Sequence, residues 1–188
     1  HSDATQLVPQ GYFAFERLGV DLLTLSAHKF RGPRGVGLLI RAPGVELSTL
    51  QGGGGQEHGL RSGTEPVALV CGMAAALMAL PSFDPVSQPV PPGSSTQIRR
   101  QRDQLLERLL ELPQLQLCGP SPDQRLPHHI ALLAKTVDGQ PLPGRDLVRG
   151  LAAAGVACSS GSACSSGSSA DSVVLTAMGI PRSERQSG

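Results

Sequence analysis

Between Pro81 and Gly93 the sequence reads PSFDPVSQPVPPG, and its five prolines dictate the layout of the chain. Each proline lacks a backbone N–H and fixes its φ, so neither a helix nor a central strand can run through the segment. The stretch is expected to be a linker, residues 81–93, between a lobe of residues 1–80 and a smaller one of residues 94–188. At 188 residues and 39% hydrophobic, the chain can bury a sizeable core and hold one large or two small domains.

Several function classes fall away on composition. A formal charge of +1 gives no steering toward nucleic acid or an anionic membrane. Aromatic residues make up only 3% and tryptophan is absent, which removes the platforms that stack on bases. No apolar run reaches the roughly eighteen residues of a membrane span. No basic-then-apolar leader opens the sequence, so no secretory signal and no disulfide network are expected, and the expected location is cytoplasmic.

Within the first lobe, Leu22 to Lys29 reads LLTLSAHK. The leucines suit one buried strand, which ends in Ser26, Ala27, His28 and Lys29 before the breakers Gly32, Pro33 and Gly35. A lysine at such a strand end is expected beside an apolar core with little water. There its ammonium is disfavoured, its pKa falls and its neutral amine can attack a carbonyl. A surface lysine lying along the strand end fits the same eight residues. Only Lys29 and Lys135 are lysines among sixteen cationic side chains.

Upstream, His1 to Gln6 (HSDATQ) sets a carboxylate and an amide near a strand end, where a polar turn would equally suit them. Downstream, Arg34 to Arg41 reads as a further strand. If the two strand ends are neighbours, Asp3, Ser26, His28 and Lys29 could together serve a ring-bearing, phosphate-bearing ligand. Gln51 to Thr64 (QGGGGQEHGLRSGT) is expected to be a flexible loop and matches neither phosphate-binding glycine motif. Thr64 stands ahead of Pro66 and of Val67 to Leu80, an apolar stretch expected to be a helix buried on most sides. Thr64 suits either a plain helix cap or a phosphate contact.

The second lobe is expected to be α+β. Ser94 to Leu112 is an amphipathic helix with Ile98, Leu105, Leu109 and Leu112 on its apolar face, and Arg99, Arg100, Arg102 and Glu107 on a solvated one. Leu115 to Cys118 and Ile130 to Ala134 read as strands, with a turn at Asp138-Gly139. Arg145 to Ala154 is a helix stopped by Gly155. A strand-like Val156-Ala157-Cys158 leads into Ser159 to Ser169, and Val173 to Met178 forms a last short helix. Seven of the eleven residues of the Ser159 to Ser169 loop are serine and two are glycine, too polar for a core. Its Cys164 is either an incidental loop thiol or a reactive one carried on an exposed arm. Five residues separate Cys158 from Cys164, outside zinc-knuckle spacing, and no metal site is expected.

Taken together, HSDATQ, SAHK with GPRGVG, GGGGQEHGLRSGT and SSGSACSSG occur in an order and at spacings that resemble the cysteine desulfurases. These are fold-type I pyridoxal-phosphate enzymes of the class V aminotransferase group. The SSGSAC spelling is similar to the NifS/IscS subgroup, and the likeness covers the second half of such an enzyme. The resemblance implies an α/β fold: the C-terminal part of a large domain with a mainly parallel sheet and helices, plus a smaller α+β C-terminal domain truncated at its end. It implies conversion of L-cysteine to L-alanine, with the sulfur passed to an active-site persulfide for iron-sulfur cluster or other sulfur-compound synthesis.

By the same resemblance Lys29 would carry pyridoxal 5'-phosphate covalently, and Asp3 would pair with the ring nitrogen. Gln6 would bond the ring oxygen, and Ser26 and His28 would hold the phosphate. Thr64 would reach the phosphate of a partner subunit in a homodimer, and Cys164 would be the nucleophile that takes sulfur for an acceptor protein such as an iron-sulfur scaffold. Cys158 is not at the matching position. The family's upstream phosphate turn and ring-stacking histidine, and its downstream carboxylate-binding arginine, have no counterpart in residues 1–188; Arg182 and Arg185 stand in a different context. Selenocysteine lyase, class V aminotransferase and a non-catalytic interaction module remain alternative readings.

Overall fold

A computed structural model describes residues 1–10, 14–80, 94–161 and 172–188. The expected linker at 81–93 and Cys164 with most of its loop lie outside the described residues. The chain divides into two compact units, His1–Gln97 and Ile98–Gly188.

The first unit is built on a sheet in the order β1 (Ser2–Asp3), β2 (Leu22–Ser26), β3 (Gly37–Arg41). β1 and β2 run parallel, with Ser2 opposite Leu23 and Asp3 opposite Thr24; β2 and β3 run antiparallel from Leu22 opposite Arg41 to Ser26 opposite Gly37. The sequence alternation explains which face is covered. Leu23 and Leu25 are buried, whereas Leu22, Thr24 and Ser26 point to the other face and are only partly covered. Gly37 is required where β3 approaches β2, since a Cβ there would sit 2.7 Å from the carbonyl oxygen of Leu25.

Beneath the buried face, Ala4, Val8, Leu23, Leu25, Ala27, Phe30 and Met73 form one core cluster. Each large side chain removed from water there contributes about 1.5–3 kcal/mol. Met73 comes from α1 (Val67–Met78), which packs on the turn after β2. Gly72 of α1 lies against Pro33, where a Cβ would meet the proline ring at 3.2 Å.

One expectation for this unit is corrected. Helix α1 ends at Met78 and buries only Met73, leaving Val67 and Met78 exposed at 68% and 86%. Its residues are apolar around the whole circumference, so composition could not single out the one face this unit covers. Residues 51–64 form a loop, as expected, and carry local hydrogen bonds of their own. Gln56–Gly59 forms a tight turn, Ser62 Oγ donates to the carbonyls of Gln51 and Gly52 at 3.2 and 3.1 Å, and Gly63 N–H donates to Gln56 Oε1 at 3.2 Å. These polar side chains close the loop on itself, with Glu57 and His58 in left-handed backbone conformations, φ 50° and 57°.

Helix α2 (Ser94–Leu110), which belongs to the second unit from Ile98 on, is followed by the antiparallel pair β4 (Leu115–Leu117) and β5 (Leu132–Ala134), then α3 (Gly144–Ala153) and α4 (Val173–Ala177). Gly155 lies just beyond α3 with φ 80°, the left-handed stop the sequence indicates. Residues 156–158 form no strand and are exposed, unlike the expectation, since Val156 N–H closes onto the carbonyl of Leu151 at 2.8 Å as part of the helix stop. Gly139 closes the turn after β5, with Thr136 N–H donating to the Gln140 carbonyl at 2.8 Å.

The inward side of α2 also differs from expectation. Leu106 and Arg102, one helical turn apart, are buried, while Leu105 and Leu112 are 51% and 49% exposed. The Arg102 guanidinium donates to the carbonyls of Leu126 and Pro122 at 3.1 and 2.8 Å and to Asp103 Oδ1 at 2.6 Å. Arg125 is buried as well, donating to the carbonyls of Pro120 (2.5 Å) and Cys118. Two guanidinium groups thus satisfy the backbone carbonyls of the segment joining β4 to β5, a role a hydrophobic-periodicity argument assigns to leucine. Among the described residues no helix is long and apolar enough to cross a membrane.

Candidate functional site

Parallel pairing is what assembles the candidate site. Because β1 and β2 run in the same direction, both leave the sheet at one edge, and the turns after them emerge there together. In open α/β sheets that carboxyl edge is where ligands bind. Asp3 ends β1, and Gln6 sits three residues on, in the turn that runs into the 3-10 segment Val8–Gln10. Ser26 ends β2, and His28 and Lys29 ride on the 3-10 turn Ala27–Phe30 directly after it.

That turn fixes which side chains face out. Three-residue spacing puts Ala27 and Phe30 together in the core, and leaves His28 and Lys29 exposed. Arg31 closes the turn in the left-handed region, φ 67°, and Gly32 N–H donates to the Ala27 carbonyl at 2.9 Å. The expectation of a lysine beside an apolar core with little water is corrected here: within this chain Lys29 is on the outer side of its turn.

Asp3 is the most defined of these groups. Its Cα partner is Thr24, so both side chains project from the sheet face opposite the buried leucines. His1, two residues earlier on the same face, has Nε2 at 3.1 Å from Thr24 Oγ1. Asp3 Oδ1 accepts the amide N–H of Thr5 at 2.9 Å. The Thr5 hydroxyl beside the carboxyl, then the Thr5 amide, hold Asp3 below the ordinary carboxylate pKa against a small opposing effect of burial. It is therefore an anion at neutral pH.

Thr64 belongs to the same unit but not to the sheet edge. It is exposed and does not cap α1; Pro66 occupies the capping position and no side chain bonds the free helix amides there. A proline has no side-chain acceptor, so the helix starts through its fixed φ instead of through a hydroxyl. Cys164 falls outside the described residues. The three described cysteines are free thiols, Cys71 and Cys158 exposed and Cys118 buried.

Sequence reasoning overlooked Thr5 and Thr24, both partners of this edge. Signals for each existed. Thr24 is the polar residue alternating between Leu23 and Leu25, and Thr5 stands two places after an aspartate, the spacing at which a carboxylate accepts a backbone N–H.

The donor set suits pyridoxal 5'-phosphate: an ionised carboxylate for a protonated ring nitrogen, a hydroxyl and an imidazole for a phosphate, and a primary amine for an aldehyde, all at one sheet edge.

Comparison with known proteins points the same way. Residues 1–187 match the family model described as aminotransferase class-V. The chain is 36% identical over 183 residues to the cysteine desulfurase IscS of Methanosarcina thermophila, covering 96% of this chain and 42% of that protein. It is 37% identical over 182 residues to the IscS-like cysteine desulfurase of Mycobacterium tuberculosis, 96% of this chain and 43% of that one. Among solved structures, a NifS-like protein aligns over 98% of this chain and 44% of its own, with TM-score 0.71 and 30% identity. The NifS-like protein of Rickettsia africae aligns over 100% and 46%, with TM-score 0.73 and 26% identity. The chain spans less than half the length of these relatives.

Proposed function

The chain belongs to the class-V aminotransferase family, and on that premise we propose that it is the C-terminal portion of a pyridoxal-phosphate-dependent cysteine desulfurase that converts L-cysteine to L-alanine. The observation that carries this reading is the exit of Asp3 and of Ser26, His28 and Lys29 at one edge of the parallel pair. Similarity to IscS-type relatives over nearly the whole chain supports it.

Bound pyridoxal phosphate supplies an electron sink for the electrons released at the substrate Cα. The chain's own groups do the rest. Asp3, held ionised, would be the counter-charge for a protonated ring nitrogen. Gln6 would bond the ring oxygen, and Ser26 and His28 would hold the phosphate. Lys29 Nζ would hold the cofactor by its aldehyde and would be the group that moves a proton at the substrate Cα. Its outward position on the turn leaves it accessible for both tasks.

Cys164 is the sulfur acceptor within the chain. Its thiolate attacks the substrate sulfur; the carbon–sulfur bond breaks, a persulfide forms on Cys164, and the three-carbon product leaves as alanine. The persulfide then passes to an acceptor protein such as an iron-sulfur scaffold. We place this chemistry in a cytoplasmic homodimer, in which Thr64 reaches the phosphate bound by the partner subunit. The apportioning of lobes, 1–80 to the cofactor domain and 94–188 to the small domain, belongs to the same proposal.

The test incubates the 188-residue chain with pyridoxal phosphate and L-cysteine. A cofactor spectrum, alanine release and a 32-dalton mass gain (about one sulfur atom) on the Cys164 peptide are expected, the last absent in Cys164→Ala. A chain that takes up no cofactor favours the non-catalytic module instead.

A further inference from the structure

We propose that Thr24 is a positioning residue: its hydroxyl holds the His1 imidazole away from Asp3 and so keeps that carboxylate unpaired for the ring nitrogen of the cofactor. This rests on the cofactor reading above and adds to it a residue that acts through His1.

The arrangement follows from strand geometry. Side chains two residues apart on a strand share a face, with their bases about 7 Å apart, so His1 and Asp3 are within reach of one another. Among the described residues Asp3 nevertheless has no ionic partner, and its Oδ1 accepts the amide N–H of Thr5 at 2.9 Å. His1 instead crosses to the neighbouring strand, with Nε2 at 3.1 Å from Thr24 Oγ1. Asp3 and Thr24 are Cα partners, so this hydroxyl lies diagonally ahead of His1 and beside Asp3 on one face of the sheet.

Thr24 is built for that task. It lies in the middle strand, opposite Asp3 of β1 and Leu39 of β3, and its carbonyl accepts Ala4 N–H at 2.8 Å. Branching at Cβ restricts its side chain to few rotamers. A hydroxyl both donates and accepts, so it serves an imidazole in either neutral tautomer and an imidazolium alike. β2 itself carries no titratable side chain. The charged or titratable groups around His1 are its own amino group, Asp3, Asp21 just ahead of β2, Arg41 of β3, and His28 and Lys29 after β2. Asp3 is the carboxylate on the strand of His1, and the one a released imidazolium would pair with.

Thr24→Val removes the hydroxyl and keeps the branched shape; Thr24→Ser keeps the hydroxyl. Carbon-detected NMR of the cofactor-free chain follows the Asp3 carboxyl, with the signal assigned by its loss in Asp3→Asn. Thr24→Val should add a second step to that signal at about pH 6.5, where a histidine ordinarily titrates. Thr24→Ser, and Thr24→Val combined with His1→Gln, should lack that step. In pyridoxal phosphate titrations at about pH 6, Thr24→Val should bind about two- to fivefold more weakly, the scale of an exposed ion pair. Wild-type affinity should return in Thr24→Ser and in the double variant. If Thr24→Val disturbs folding by circular dichroism, Thr24→Ala provides the same comparison. A loss of affinity that the double variant retains, or that Thr24→Ser shares, makes Thr24 a structural residue only and overturns the proposal, as does an Asp3 signal without the second step. If the second step appears but the wild-type chain takes up no pyridoxal phosphate, the cofactor reading fails and takes the role of Thr24 toward the ring with it.

Discussion

Asp3 and Thr24 are Cα partners in a parallel pair, and Thr24 lies two residues before the end of its strand. That register, more than any single side chain, puts the acidic end of β1 beside the strand that delivers His28 and Lys29. A shift by one residue would turn Asp3 to the face where Leu23 and Leu25 are buried. An unpaired carboxylate there would be costly, so the same hydrophobic alternation that forms the core also sets the site.

Lys29 should be the one lysine that couples to pyridoxal phosphate. The chain has only one other, Lys135, in the second unit and 3.5 Å from Glu184 Oε1. Borohydride reduction followed by peptide mapping therefore reads out two positions. The adduct is expected on the Lys29 peptide at low cofactor concentration and is expected to vanish in Lys29→Ala. Equal labelling at both lysines would mark the reaction as ordinary amine chemistry.

Much of this architecture is legible in the residues alone, for definite reasons. LLTLS alternates once and is flanked by turn formers, so β2 and its exit can be read from the sequence. Gly155 and Gly139 sit at positive φ where a helix and a turn must stop, as glycine permits. The features that stay hidden depend on partners far along the chain. α1 is apolar on every side, so no pattern marks Met73 as its buried residue. Arg102 reads as solvent-facing because its burial depends on carbonyls 20 and 24 residues away, at Pro122 and Leu126. The outward turn of Lys29 comes from 3-10 spacing, which a strand-end argument does not contain.

Arg102→Ala should destabilise the second unit by about 2–3 kcal/mol, the scale of charged hydrogen bonds lost from buried acceptors. The Asp103 contact adds little, because Asp103 is 47% exposed and water screens it. Asp103→Asn should accordingly cost under about 1 kcal/mol. Urea denaturation followed by circular dichroism compares the two. Equal losses would mean that the ion pair, and not the carbonyl clamp, holds this segment.

Met73→Ala should cost about 2–5 kcal/mol, the range for emptying a buried aliphatic site. Met78→Ser, at 86% exposure on the same helix, should stay within about 0.5 kcal/mol. The pair contrasts the core-facing side of α1, where Ala76 and Leu77 also pack against the cluster around Met73, with its exposed side. A comparable loss from Met78→Ser would show that the outer side of the helix is also covered in solution.

Acid should weaken the second unit through two neighbouring imidazoles. Both histidines are exposed, so only partial burial lowers the pKa of His128, and partial burial, with the positive charges of Arg125, His128 and Arg102, lowers that of His129. The Arg125 guanidinium stands 3.5 Å from His129 Nδ1, where a neutral ring can accept from it and a protonated ring cannot. An imidazole whose folded pKa is depressed binds its proton more readily in the unfolded chain. Its contribution to stability is therefore complete above the ordinary value of 6.5 and fades as pH falls through that value to the lower folded one. Asp3 has the same sign but acts in a separate window, below the ordinary 3.8. Urea midpoints measured from about pH 8 to about pH 5 should fall on acidification, and His128→Gln combined with His129→Gln should flatten the curve. A profile unchanged by the double substitution would assign the acid sensitivity to other groups.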